Sequence, residues 1–155
     1  MRRFQRHETI LARGCDTERG PFPPRRYGAL IEAEADVLAA NRAFYEAFEA
    51  RDIDAMSEAW EHSDRVVCTH PGWQTLRGWA SVSGSWFALF SNQTPLQFIL
   101  TNEAVAIEGD VAWVTVDENL IGETISGTVA AVNMFVFDGQ RWGLVVHHGA
   151  PVAPR

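Results

Sequence analysis

The sequence predicts an α+β domain in which three N-terminal helices pack on a curved, mainly antiparallel sheet. Three observations carry that expectation. An apolar repeat of helical period runs through residues 33–52, β-branched and aromatic segments dominate everything after Asn92, and short glycine-bearing turns join those segments in pairs.

Residues 1–32 show no sustained period and concentrate Pro, Gly and Arg in "RGPFPPRRYG", so they read as a basic arm ahead of a domain at 33–155. Such an arm either lacks fixed structure or orders against a partner subunit. From Ala33, "AEADVLAANRAFYEAFEARD" places Val37, Asn41, Phe44, Tyr45 and Phe48 on one helical face, with acids opposite. Asp52 or Asp54 caps a short second helix that turns Ile53, Met56 and Trp60 to one side. "DRVVCTH" is a short strand ended by Pro71-Gly72. A third helix, "GWASVSGSWFALFS", repeats apolar residues at Trp79, Val82, Trp86, Leu89 and Phe90. Gly84 weakens it by up to about 1 kcal/mol relative to alanine.

The remainder is sheet. "LQFILTNEAVAIE" and "VAWVTVDENLI" form a hairpin about Gly109-Asp110, and "SGTVAAVNMFVF" and "RWGLVVHHGA" form another about Asp138-Gly139-Gln140. Simple alternation fails in these strands: Asn133, Phe135 and Phe137 lie on one face, while Val132, Met134 and Val136 make the other apolar as well. Helices cover one side of such a sheet. A homodimer packed through the outer face is the expected cover for the second.

Composition narrows the function. With 155 residues, 46% of them apolar, the chain is long enough for a core without metal or disulfide staples. No apolar run approaches the roughly 20 residues of a membrane span, and the paired arginines of the opening have no apolar stretch behind them, so a cytoplasmic protein without a membrane partner is expected. All 13 basic residues are arginine. The lack of lysine excludes Schiff-base catalysis and a P-loop lysine. Residues 1–32 carry seven arginines against four acids, net +3, and the rest of the chain is net −10; an acidic body argues against nucleic-acid binding. Cys68, inside the apolar run "RVVCTH", reads as a free buried thiol, the alternative being a nucleophile paired with His70.

The order of elements, with "FYEAFEARDIDAMSEAW", "HPGW" followed by "LRGW", "GDVAWVTVDEN" and "VNMFVFDGQRWGLVVHHGAPV", resembles the SnoaL-like family of the nuclear transport factor 2-like superfamily over residues 34–152. The resemblance implies a cone: a strongly bent sheet wraps a long helix and leaves a pocket at its open end. It also implies one of several activities, since the superfamily includes ketosteroid isomerases, polyketide cyclases and dehydratases alongside the non-catalytic association domain of calcium/calmodulin-dependent protein kinase II. By motif position, His70 stands where the isomerases keep a base, Phe44 where they keep a tyrosine, and Asn133 where they keep a protonated aspartate. A phenyl ring donates no hydrogen bond, so their steroid chemistry is not expected. An imidazole base and an amide donor to an oxyanion still form a coherent proton-transfer set.

The candidate catalytic residues are therefore His70, Asp117, His147 and Asn133. Comparison with the association domain implies that Asp117 and His147 face inward as a coupled pair, and with Asp117 go Thr115 and Asn119 by strand parity, leaving Glu118 and His148 on the outer face. Tyr45, Trp73, Arg77, Trp86 and Asn119 are the candidate ligand contacts. No metal ligand set and no cofactor is expected, because the histidines lack metal-binding spacing and the resembled families work without either. The expected partners are a small hydrophobic molecule and a second copy of the chain. The expected function is a small-molecule pocket, of isomerase, cyclase or dehydratase type, in which His70 is acid or base on a hydrophobic carbonyl or polyketide-like substrate; the alternative is a non-catalytic dimerisation and ligand-binding module.

Overall fold

The computed structural model describes residues 27–92, 96–122 and 126–153. Among these described residues, three helices, α1 (Tyr27–Ala50), α2 (Ile53–Ala59) and α3 (Trp79–Asn92), accompany six strands, β1 (Val67–Thr69), β2 (Leu76–Arg77), β3 (Gln97–Glu108), β4 (Val111–Ile121), β5 (Ser126–Phe137) and β6 (Trp142–Pro151). They form one sheet in the order β2-β1-β6-β5-β4-β3. Every pairing is antiparallel except that of β1 with β6.

The amphipathic stripe of α1 does what its spacing predicts: Val37, Asn41, Phe44 and Tyr45 are buried and Phe48 is half-buried. The helix begins at Tyr27, so residues 27–32 of the expected arm are helical, and the rest of that arm lies outside the described residues. Asp52 is the α2 cap, its Oδ1 accepting from the amides of Asp54 and Ala55 at 3.0 Å each. Met56 and Trp60 are fully buried.

The hairpin turns match their residues. Gly109 at φ 61° closes β3 onto β4, and Asp138 Oδ1 accepts from the amides of Gln140 and Arg141 in the β5–β6 turn. The pairing slips between Thr101 and Ala104 on β3, and between Met134 and Phe135 on β5. Such irregularities increase local twist and bend a strand. The bent sheet thereby curls about α1, which contacts β3, β4 and β6.

The "HPGW" stretch is a tight turn. The Trp73 amide donates to the His70 carbonyl at 2.9 Å, with Pro71 and Gly72 at its centre and Gly72 at φ 80°. That is the type II arrangement, in which proline suits the first central position and glycine the second. The chain then adds a two-residue strand, β2, paired with β1, which the sequence pattern does not reveal.

Register corrects one expectation. Asn133 pairs with Val114 and with His147, and directly opposed residues share a face. The inner face of β4 therefore runs Ala112, Val114, Val116, Glu118, Leu120, whereas Thr115, Asp117 and Asn119 point outward. A one-residue difference in parity exchanges the two sets completely.

Candidate functional site

Between α1, α3 and the inner sheet face lies a cavity of about 150 Å³. Phe44, Phe48, Trp86 and Phe98 supply much of its apolar wall, and His70, His147, Tyr45 and Glu118 supply its polar groups. Trp73, half exposed on the turn, stands at the cavity with its ring 5.0 Å from that of His70.

Each polar group is held by a different element. Tyr45 comes from α1, Glu118 from β4 and His147 from β6, while His70 follows β1 and is fixed by the Pro71-Gly72 turn. Ser85 reaches back from α3. Its hydroxyl donates to the Val82 carbonyl at 2.7 Å, so only lone pairs remain for His70 Nε2 at 2.9 Å. His70 Nε2 consequently carries the ring hydrogen, and Nδ1 is bare. The Trp86 ring lies 4.5 Å from His70, nearly perpendicular to it.

A second chain of hydrogen bonds fixes His147. The Glu103 carboxylate accepts from Asn41 Nδ2 at 2.8 Å, which turns Asn41 Oδ1 to Asn133 Nδ2 at 2.8 Å. The same Asn133 amide donates to the Tyr45 hydroxyl at 3.1 Å, and the Tyr45 hydrogen goes to Glu118 Oε1 at 2.7 Å. Asn133 Oδ1 is left to face His147 Nδ1 at 2.7 Å, so Nδ1 donates and Nε2 keeps a lone pair. Direction propagates through this network because a carboxylate only accepts hydrogen bonds.

Burial sets the protonation of these groups. It pulls His70 down to about 4, and pulls His147 down to about 3 with help from the charges of His70 and His148. Both imidazoles are therefore neutral at neutral pH. Burial pushes Glu118 up to about 7, partly offset by the Tyr45 hydrogen bond. Burial, then the Glu118 charge, drives the Tyr45 hydroxyl far above its ordinary value. Cys68 lies beside His70, its sulfur 3.7 Å from Nε2, but burial and then Glu118 push its thiol up to about 12. A thiol held protonated in this way is no nucleophile at neutral pH.

The structure thus brings together His70, His147, Asn133, Tyr45, Trp73 and Trp86. It separates three others. Asp117 points outward and accepts from Asn102 Nδ2 at 2.7 Å; Asn119 points outward and bonds the Ile99 carbonyl and Thr101 on β3. Arg77 is exposed on β2, apart from the cavity lining. Asn133 is also corrected: its amide hydrogens go to Asn41 and Tyr45, so it positions neighbours and has no donor for an oxyanion. Glu118, Ser85 and Asn41 complete the site. Asn41 had a visible signal, a polar residue on an otherwise apolar helical face, and Glu118 continues the small apolar parity of Ala112, Val114 and Val116.

Comparison with known proteins agrees with this architecture. A structure of a proposed dehydratase of the nuclear transport factor 2-like family, from Streptomyces avermitilis, is 34% identical and superimposes with a TM-score of 0.76, covering 81% of this chain and 99% of that one. A proposed calcium/calmodulin-dependent protein kinase type II association domain from Thiobacillus denitrificans is also 34% identical, with a TM-score of 0.64 over 74% of this chain and 94% of that one. The F-box protein SKIP8 of Arabidopsis thaliana is 29% identical over 114 residues, 74% of this chain, and the chain spans about half (48%) of that relative's length. No helix among the described residues is long and apolar enough to cross a membrane. Residues 37–154 match the model of the SnoaL-like domain, and with the bent sheet, the enclosed α1 and the pocket between them, the chain belongs to the SnoaL-like family of the nuclear transport factor 2-like superfamily.

Proposed function

We propose that this protein is a cofactor-independent proton-transfer enzyme of dehydratase or isomerase type, acting on a small, largely apolar hydroxy-carbonyl compound. One observation carries the reading. A single cavity holds a carboxyl that titrates near neutrality beside two imidazoles kept neutral. Titratable groups whose environments push their pKa values apart are what acid–base catalysis needs.

For an elimination, His70 Nδ1 takes the proton from the carbon beside the carbonyl, and that C–H electron pair becomes the new double bond. The C–O bond breaks as its oxygen takes the proton of Glu118, and water leaves. An imidazolium and a carboxylate arise together, so the low-dielectric cavity gains no net charge. Either charge alone would be penalised by the burial that now holds both groups neutral. The similarity to a proposed dehydratase supports this class of reaction.

The similarity to a proposed kinase association domain supports a rival reading, a dimerising module whose pocket binds but does not react. Both readings include a homodimer through the outer sheet face, where Ile99, Trp113, Ile121 and Val132 are exposed. Turnover separates them. With a ring-sized probe such as 3-hydroxycyclohexanone, appearance of the conjugated enone is followed by absorbance in wild type, His70→Gln and Glu118→Gln. Losses of about 10² or more in each variant are expected. Unchanged rates in both folded variants would remove this mechanism.

A further inference from the structure

The hydrogen-bond directions around the cavity say more than that it moves protons. Once Glu118 is ionised, the hydrogens of the other polar side chains in the wall, His70, His147 and Tyr45, are all engaged by protein. The His70 Nε2 hydrogen goes to Ser85, the His147 Nδ1 hydrogen to Asn133, and the Tyr45 hydrogen to Glu118. These groups are left with lone pairs: His147 Nε2, His70 Nδ1 and the second Glu118 oxygen. Among the described residues, His147 Nε2 has no hydrogen-bond partner, and His70 Nδ1 has only the Cys68 sulfur, at 3.9 Å. The other donors in the wall are indole N–H groups: Trp86 Nε1, buried without a partner among the described residues, and Trp73 on the exposed turn. No arginine among the described residues lines the cavity, and the chain has no lysine.

We propose that the cavity selects a single-ring, uncharged ligand through that ligand's own O–H group, donated to the His147 Nε2 lone pair, in place of gripping a carbonyl oxygen or an anion. The inference rests on the reading of this cavity as a ligand site and adds the polarity of recognition. An oxyanion hole converges donors on a ligand oxygen; here acceptors converge. A carbonyl brought to His147 Nε2 places lone pair against lone pair, and a carboxylate meets Glu118 with no cation to compensate it. Leaving a buried acceptor unpaired costs about 1–3 kcal/mol, which is why such sites discriminate strongly against ligands lacking the hydrogen. Size follows from volume: about 150 Å³ holds a benzene-sized body, below the usual range for larger ligands. The aromatic walls suit a ring.

Three probes of one shape test this on the full chain: benzyl alcohol, benzaldehyde and benzoate, titrated at pH 8, where Glu118 is ionised and only accepts, with binding followed by tryptophan fluorescence and calorimetry. Benzyl alcohol should bind at least tenfold more tightly than benzaldehyde, with benzoate weakest, and the alcohol should shift the His147 Nε2 nitrogen resonance as an acceptor. Benzaldehyde or benzoate binding as tightly as the alcohol would overturn the donor rule while leaving the pocket a ligand site. If none of the three binds, the ligand-site reading falls with it. Because all three probes are compared on wild type, no variant has to fold for the answer to count.

Discussion

Asn133 Oδ1 accepts the Nδ1 hydrogen of His147 at 2.7 Å, both side chains being buried, and this contact decides which imidazole nitrogen is bare. The decision begins at Glu103, whose side chain sits on the exposed part of β3 and orients Asn41, which in turn orients Asn133. Nitrogen NMR of the His147 ring should therefore report Nδ1 protonated and Nε2 bare. In Glu103→Gln the anchor can donate as well as accept, and a second tautomer should appear. A wild-type ring protonated at Nε2 would contradict the network.

Replacing Asn133 removes three hydrogen bonds from the core at once. In Asn133→Leu the His147 Nδ1 hydrogen and Asn41 Oδ1 lose their partners while staying buried. At about 1–3 kcal/mol for each unsatisfied group, urea unfolding should show a loss of about 2–5 kcal/mol. A loss below about 1 kcal/mol would mean that water or a rearranged Asn41 satisfies them.

Stability should also depend on pH through Glu118. Its folded pKa, about 7, lies above its ordinary value, so the unfolded chain releases this proton first. The contribution is fully present below about 4.5 and is lost as pH rises through about 7, amounting to up to about 3 kcal/mol. Glu118→Gln keeps an acceptor for Tyr45 and lacks the titration. The variant should gain on wild type between pH 5 and pH 8 in thermal or urea unfolding. The histidines act with the opposite sign: their folded values, about 4 and about 3, lie below the ordinary 6.5, so their contribution is complete above 6.5 and is lost as pH falls. A constant difference between Glu118→Gln and wild type across this range would refute the raised carboxyl.

The outer sheet face supplies a separate expectation. Ile99 is 54% exposed and Trp113 is 38% exposed, beside the half-buried Met134 that pairs with Trp113. The proposed dimer covers them. Sedimentation should give a dimer for wild type and a monomer for Trp113→Glu, whose charge would otherwise be desolvated at the interface. A monomeric wild type would remove the dimer.

Much of this was legible in the sequence, for reasons that also explain what was not. The α1 stripe reads clearly because Val37, Phe44 and Phe48 repeat with helical period against acids. The turn at Pro71-Gly72 reads from steric preference alone. Face assignment on β4 does not, because Asp117, Glu118 and Asn119 put polar groups on both parities and both sheet faces are apolar. Only the pairing of Val114 with Asn133 resolves it, and pairing is a long-range fact. Ser85 was invisible for a similar reason: a serine within a helix has no sequence mark telling that it receives a hydrogen from His70, fifteen residues earlier.

One cavity keeps a carboxyl titrating near neutrality beside imidazoles that stay neutral. Site-resolved NMR titration of Glu118, His70 and His147 in the wild-type protein measures it directly. The expected result is a Glu118 midpoint near 7 and no protonation of either imidazole down to pH 5. A Glu118 midpoint at the ordinary 4.5, or imidazoles titrating near 6.5, would contradict it.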